Sequence, residues 1–247
     1  DGWGWNGFGQ TNVPSGQFLA VAGHGLHSLG VRTDGTLAGW GFNGSGQINV
    51  PTGTFLDVSA GADWSLGLRT DGTLAAWGYN GQGQTNVPSG TFSAISAGFA
   101  HGLALRPDGT IVGWGNNTFG ETTIPAGTFV DVSAGDGFSV AIRTDDSLVA
   151  WGRNDQGQHN VPAGTFLAVV AGDWHGLAVR TDGTLAGWGH NGNGQINVPP
   201  GMFSAVAAGR DHSMAIVVPE PGSLTLSALA AVLLVLIKGF RDRAGGC

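Results

Sequence analysis

Short runs of mixed apolar and polar residues recur along the chain, and glycine, proline or Asp-Gly pairs separate them. In one stretch the runs cover 55–59, 64–69, 73–77 and 84–87. Runs of this length between turn signals are typical of β-strands. Helices are disfavoured because Gly supplies 46 of the 247 residues and proline recurs in a V-P-x-G element, and neither residue suits a helix interior. The pattern therefore predicts an all-β protein.

The pattern repeats every 37 residues, and tryptophan marks the period at positions 3, 40, 77, 114, 151 and 188. Four short strands at a fixed period predict one blade of a β-propeller. The first half of the unit occurs six times, but the last copy, which begins at Phe203, has no Trp strand. We expect the segment 3–14 to supply that strand, which gives a closed ring of six four-stranded blades over 1–217. Since the sequence begins at Asp1 without Met, seven blades in a longer protein are the alternative.

The repeat itself resembles a known family. The stretch W-G-x-N-x-x-G-Q-x-N-V-P followed by A-G-x-x-H-S-L-A-L-R-x-D-G-T-L is similar to the regulator of chromosome condensation repeat in its compact bacterial form, and it covers 3–217. It is also similar to the β-lactamase inhibitory proteins built from such repeats. The resemblance implies a propeller that usually has seven blades. It leaves the function open, because one fold hosts many functions.

The C-terminal segment has a different composition. A V-P-E-P motif at 218–221 precedes an apolar stretch at 222–240, predicted to be an anchor helix, and a basic tail at 241–247. This order resembles the PEP-CTERM sorting signal, which an exosortase processes. The motif comprises Val218, Pro219, Glu220 and Pro221. An ordinary C-terminal membrane anchor is the alternative, and both leave the tail cytoplasmic and the propeller exported and extracytoplasmic.

Charge and motifs exclude several functions. Residues 1–218 hold seven Arg and no Lys against fifteen Asp and Glu, which argues against a nucleic-acid partner. Because Cys247 is the only cysteine, an intrachain disulfide is impossible and Cys-based metal sites are excluded. The sequence has no nucleophile elbow, P-loop or H-E-x-x-H motif. We expect no enzyme, cofactor or metal; a polysaccharide-active hydrolase that uses Asp136 and Asp173 is the least favoured function.

The repeats differ from one another mainly in two loops, one after A-G and one after W-G, which we expect on the same face of the propeller. The turns expected on the other face, T-D-G or P-D-G and P-x-G, barely change. Aromatic residues mixed with Arg and Asp are typical of protein-binding surfaces, although loops free to drift would also vary. The predicted partner-binding residues are Trp5, Phe8, Phe42, Asp63, Tyr79, Phe99, Phe119, Asp136, Arg153, Asp173, Trp174, His190, Arg210 and Asp211. Binding of a protein partner is the favoured function, and inhibition of an extracytoplasmic enzyme such as a β-lactamase is the alternative.

Two further repeated positions have structural interpretations. The equivalent residues His27, Trp64, His101, Phe138, His175 and His212 lie too far apart to share a metal, so we expect hydrogen-bonding roles. An arginine precedes the turn Asp by two residues at positions 32, 69, 106, 143 and 180. This spacing predicts a local ion pair. The periodic Trp and Phe are expected in the core.

Overall fold

The computed structural model describes residue 2 and residues 4–218, which are all-β. The predicted roles of Trp3, of Pro219, Glu220 and Pro221, of the anchor helix at 222–240 and of the basic tail at 241–247 lie outside the described residues. Within the described part, no helix is long and apolar enough to cross a membrane.

The strands in chain order are β1 (Phe18–His24), β2 (His27–Arg32), β3 (Leu37–Gly41), β4 (Phe55–Ala60), β5 (Trp64–Arg69), β6 (Leu74–Gly78), β7 (Ala94–Ala97), β8 (His101–Leu105), β9 (Ile111–Gly115), β10 (Phe129–Ala134), β11 (Phe138–Arg143), β12 (Leu148–Gly152), β13 (Phe166–Ala171), β14 (His175–Arg180), β15 (Leu185–Gly189), β16 (Phe203–Ala208) and β17 (Ser213–Val217).

The strands form antiparallel meanders, one for each 37-residue unit. Five sheets have three strands, from β1–β2–β3 to β13–β14–β15, and the sixth consists of β16 and β17. Consecutive sheets pack face to face through apolar side chains; Leu29 and Val31 of the first sheet, for example, share a buried cluster with Phe55 and Val58 of the second. The series curves round, since His24 Nε2 of the first sheet lies 3.2 Å from Asp173 Oδ1 in the fifth. The arrangement is a β-propeller.

The predicted fourth strand is absent from the described sheets. The segment 84–87 forms turn and irregular structure, because side chains satisfy its backbone groups in place of a neighbouring strand. Asn80 Oδ1 accepts a hydrogen bond from the Thr85 N–H at 2.9 Å, and the Gln84 carbonyl accepts one from Trp114 Nε1 at 2.8 Å. The prediction of four-stranded blades is corrected to three-stranded sheets joined by a braced connecting segment.

The last sheet has one uncovered face. Met214 and Ile216 of β17 are 50% and 60% exposed, whereas the equivalent residues of β11, Val140 and Ile142, are fully buried by the next sheet. The described N-terminal residues pack on the first sheet instead: the Gln10 carbonyl accepts hydrogen bonds from Ser28 Oγ at 3.0 Å and Trp40 Nε1 at 2.9 Å. Ring closure through segment 3–14, and with it the number of blades, stays a prediction.

The repeated arginines do not form the predicted ion pair with the turn aspartate. Arg69 Nη1 donates to the Thr52 carbonyl at 3.1 Å, and its guanidinium lies 4.8 Å from the centroid of the Phe55 ring. Asp71 Oδ1 accepts hydrogen bonds from the Thr73 N–H and Oγ1 at 2.9 and 2.7 Å. These bonds, more than the charge of Arg69, lower the pKa of Asp71. The arginine therefore fastens the P-x-G segment and covers the core phenylalanine, while the aspartate closes its own turn.

Three of the four repeated histidines have the predicted hydrogen-bonding role, whereas His212 is exposed. His101 Nε2 lies 3.0 Å from Ser139 Oγ in the next sheet, and that hydroxyl donates to the Glu121 carbonyl at 2.9 Å. Because the serine proton is used by the carbonyl, His101 must carry its proton on Nε2 and donate it. His27 and His175 make the same contact with Ser65 and Ser213. The described residues contain no group of three or more potential ligands placed to hold a metal.

Candidate protein-binding rim

Backbone hydrogen bonds confirm that the two variable loops of each unit share one face. The Tyr79 N–H donates to the Asp63 carbonyl at 2.9 Å, and the Arg153 N–H donates to the Gly137 carbonyl at 2.8 Å. We call the face formed by the loops after A-G and after W-G the variable rim. On the opposite face, the constant rim, the Phe92 N–H donates to the Gly72 carbonyl at 2.9 Å, which joins the T-D-G turn to the P-x-G segment.

Each W-G loop of the variable rim is braced from inside by a Gln or Glu. Gln47 is fully buried, and its Oε1 accepts a hydrogen bond from the Ser45 N–H at 2.9 Å. The same bond recurs in every copy. The bracing residues are Gln10, Gln47, Gln84, Glu121, Gln158 and Gln195. The loop backbone is thus fixed, while the side chains that it presents differ between copies.

The exposed aromatic side chains lie on this rim. Five aromatic residues among those described are strongly exposed, between 46% and 65%, and all five belong to variable loops. They are Trp5, Phe8, Tyr79, Phe99 and Phe119. The other large apolar residues that are exposed in the described part of the chain are aliphatic.

A first cluster forms at the N-terminal end of the variable rim. The Trp5 and Phe8 rings meet edge to face at 5.6 Å between centroids, and Phe8 meets Phe42 of the next loop at 5.0 Å. Edge-to-face pairs are a favoured aromatic geometry. Three predicted residues from two repeats therefore form one apolar patch.

A second cluster surrounds Arg153. Its guanidinium lies 5.0 Å from the Phe119 ring centroid and 4.3 Å from that of Trp174. Nε and Nη2 donate to the two carboxylate oxygens of Asp155 at 2.9 and 2.7 Å, and this pairing lowers the pKa of Asp155. Asp155 was not predicted as a site residue, although its spacing of two from Arg153 was visible in the sequence.

A third cluster lies where the A-G loops converge. The Asp136 N–H donates to the Asp173 carbonyl at 3.0 Å, and the Asp173 carboxylate contacts His24. Burial, followed by the charge of Asp173, raises the pKa of Asp136. Sequence reasoning missed His24, and a separation of 149 residues from Asp173 gave no signal for this contact.

The remaining predicted residues occupy separate places. Asp63, Tyr79 and Phe99 line a cavity between the second and third sheets. His190 Nδ1 lies 2.7 Å from Gln195 Nε2. Arg210 Nε and Asp211 Oδ2 lie 3.5 Å apart at the loop of the last sheet, and both side chains are exposed.

Comparison with known families identifies the repeat. The regulator of chromosome condensation (RCC1) repeat matches residues 55–84, 92–121, 129–158 and 166–195. The chain carries RCC1 repeats. The matched units begin at or just before the first strand of a sheet and end at the bracing Gln or Glu of the following loop, so the RCC1 signature coincides with the scaffold of the rim. Among curated proteins, none matches the sequence.

Solved structures with the same fold include known RCC1-type propellers. The CRINKLY WD40 ectodomain of the Arabidopsis thaliana receptor kinase ACR4 superposes with a TM-score of 0.69 at 23% identity, covering 82% of this chain and 77% of that one. Human WBSCR16 gives 0.70 at 18% identity, covering 82% and 72%. Prp20p of Saccharomyces cerevisiae gives 0.70 at 17% identity, covering 90% and 72%. These similarities show the propeller fold.

Proposed function

We propose that this RCC1-repeat propeller is an exported, cell-surface or exopolysaccharide-associated protein that binds a protein partner through its variable rim. The observation that carries the proposal is the segregation of exposed aromatic side chains to that rim. If the loop sequences varied without functional constraint, exposed aromatic rings would not be expected to concentrate on one face. Large aromatic residues and arginine supply most of the energy at protein interfaces.

The bracing of the loops supports binding over drift. A partner that docks on mobile loops loses affinity because the loops must be ordered, whereas a rim already fixed avoids that cost. The hydrogen bonds that Gln47 and its equivalents accept from backbone N–H groups hold the loop backbone in place. The variable side chains are thus presented on a preorganised loop backbone.

Structural neighbours are consistent with a protein partner. The Prp20p structure is described together with its binding to Gsp1p and histones, and a further structure has Kap60 bound to yeast RCC1. At 17% and 19% sequence identity, these similarities do not identify the partner of this chain. Inhibition of an extracytoplasmic enzyme, such as a β-lactamase, would use the same rim and stays a prediction. A hydrolase is less favoured, since His24 already engages Asp173.

Export is proposed from the C-terminal segment. The V-P-E-P motif, the apolar stretch 222–240 and the basic tail match the order of an exosortase-processed signal, with a membrane anchor as the alternative. The measurement is fractionation of cells that produce the chain with and without residues 218–247, fused behind a common export signal. We expect the full chain at the membrane or cell surface and the shortened chain free. Equal distribution of both would contradict the proposal.

The rim is tested by site-directed crosslinking followed by a binding measurement. A photoreactive benzoyl-phenylalanine replaces Phe99, and mass spectrometry identifies the crosslinked partner on intact cells. The affinity of the purified partner is then measured for the variant Phe99→Ala, Trp174→Ala, Arg210→Ala. We expect a loss of at least about 100-fold, because interface hot spots each contribute 2 kcal/mol or more.

The matched control removes exposed apolar side chains near the constant rim. Leu56, Val130 and Leu167 occupy the same strand position in three sheets and are all exposed. Their triple replacement by Ala should leave the affinity unchanged. Equal losses in both triple variants, or none in the rim variant, would show that the variable rim is not the binding surface.

A further inference from the structure

A cavity of about 270 Å³ opens on the variable rim between the second and third sheets. Its walls include the rings of Tyr79 and Phe99, both about half exposed. The carboxylate of Asp63 and the amide of Asn116 also line it. No Lys or Arg is among the lining residues. We call this cavity the Tyr79 notch.

Hydrogen bonds brace the backbone of the notch and one oxygen of its carboxylate. The Tyr79 N–H is bound by the Asp63 carbonyl at 2.9 Å, and the Ala62 N–H donates to the Phe99 carbonyl at 3.4 Å across the two sheets. Gln47 Nε2 donates to Asp63 Oδ1 at 3.2 Å. The other carboxylate oxygen of Asp63 has no hydrogen-bond partner in the described part of the chain. The notch therefore presents two aromatic rings on a hydrogen-bonded backbone, together with one free acceptor.

The same rim shows what such a set of groups binds. Two repeats further on, Arg153 occupies the position of Tyr79, and its guanidinium lies against two rings and a carboxylate. Aromatic faces attract cations, and a carboxylate adds a charge-assisted hydrogen bond. In that cluster the chain supplies the cation itself. In the Tyr79 notch the rings and the acid are present without one.

The charge of the rim favours a cationic ligand as well. Its variable loops and their braces contain six carboxylates, which belong to Asp63, Glu121, Asp136, Asp155, Asp173 and Asp211, against the guanidiniums of Arg153 and Arg210. An acidic surface raises the local concentration and the association rate of a basic partner.

We propose that the Tyr79 notch binds an arginine side chain of the partner, with the guanidinium between Tyr79 and Phe99 and hydrogen-bonded to Asp63. The proposal rests on the proposed function in that the arginine belongs to a protein bound on the variable rim. It adds the chemistry of one anchor residue of that partner.

The test uses the fact that Tyr79 is the only tyrosine of the chain. Protein labelled with 3-fluorotyrosine gives one ¹⁹F resonance, which reports on the notch alone. The probe is N-acetyl-arginine amide, compared with the neutral isostere N-acetyl-citrulline amide. We expect a saturable shift with the arginine compound and binding at least about tenfold weaker with the citrulline compound.

Two variants assign the contact. Asp63→Asn should weaken the arginine titration about fivefold, the effect of losing a partly exposed charge pair of about 1 kcal/mol. Asp211→Asn removes a rim charge outside the notch and should leave the titration unchanged. A flat titration, equal shifts with citrulline, or no effect of Asp63→Asn would overturn the proposal.

The outcome is separable from that of the proposed function. If the notch fails while the rim triple variant still loses its partner, the arginine anchor is wrong and the binding rim stands. If arginine binds at Tyr79 but the rim triple variant retains its partner, the notch stands as an arginine site and the binding rim is wrong.

Discussion

Replacing Ile142 by Ala is expected to lower the free energy of unfolding by about 2–5 kcal/mol, whereas the same replacement of Ile216 should cost less than about 1 kcal/mol. The two isoleucines occupy the same strand position two repeats apart. Ile142 is fully buried between the fourth and fifth sheets, in a cluster with Phe166 and Val169. Ile216 is 60% exposed on the uncovered face of β17. Since the removed atoms are identical, the difference measures the packing of one sheet on the next.

Urea denaturation of the purified chain gives both values. Equal losses at the two positions would mean that the face of β17 is covered in solution and that the ring closes there. A chain that begins at Ser15 then identifies the cover. If Ile216→Ala becomes mild only in that shorter chain, the segment 3–14 supplies the missing strand, as the sequence predicts.

The arrangement of the repeats could be predicted because the period is unbroken. With 37 residues per unit and no insertion, neighbours in sequence are neighbours in space, and equivalent loops must fall on the same face. The variable rim was therefore visible from aligning Trp40, Trp77 and their equivalents. The bracing Gln was visible as a repeated residue, although its hydrogen bond was not.

Other features of the structure could not be predicted from the repeat pattern. The segment 84–87 is a short run between turn signals, as the strands are, but Asn80 and Trp114 satisfy its backbone from the side, and the spacing of turn signals does not distinguish the two cases. The predicted pairing of Arg69 with Asp71 looked sound from spacing, yet Thr73 provides nearer donors to the aspartate. The contact between His24 and Asp173 depends on the curvature of the whole series of sheets.

One pattern was present in the sequence and was overlooked. Where a repeat has His, the residue 38 positions later is Ser, as in His101 and Ser139. Where it has Trp or Phe, that later residue is Gly, as in Phe138 and Gly176. A Cβ added at Gly102 or Gly176 would meet the Trp114 or Trp188 ring, so a serine does not fit there, whereas the imidazole requires a hydroxyl partner. The two positions therefore change together as a unit.

Acid is expected to destabilise the propeller through these histidines. Burial lowers the pKa of His101 to about 4, and burial, followed by the charge of His24, does the same for His27. An imidazole in the unfolded chain titrates near 6.5. Between pH 6.5 and 4 the unfolded chain therefore binds protons that the native protein does not, so stability falls as the pH falls through this range. Each histidine should cost about 2–3 kcal/mol by pH 4.5.

A buried carboxylate acts in the opposite direction. Burial raises the pKa of Asp131 to about 6, so the native protein binds a proton there before the unfolded chain does. This stabilises the native state as the pH falls from about 6 toward 4. The pH dependence of the unmodified protein is the sum of both effects, and a matched variant is needed to isolate the histidine contribution.

The chain itself provides that variant. His101→Phe with Ser139→Gly reproduces the pair Phe138 and Gly176 found one repeat later. Urea denaturation of both proteins at pH 7.5 and pH 4.5 measures the effect, and Asp131 contributes equally to each. Between the two pH values the unmodified protein should lose about 2–3 kcal/mol more than the variant. Parallel losses would show that His101 is protonated in the native state without penalty, which the burial of its ring opposes.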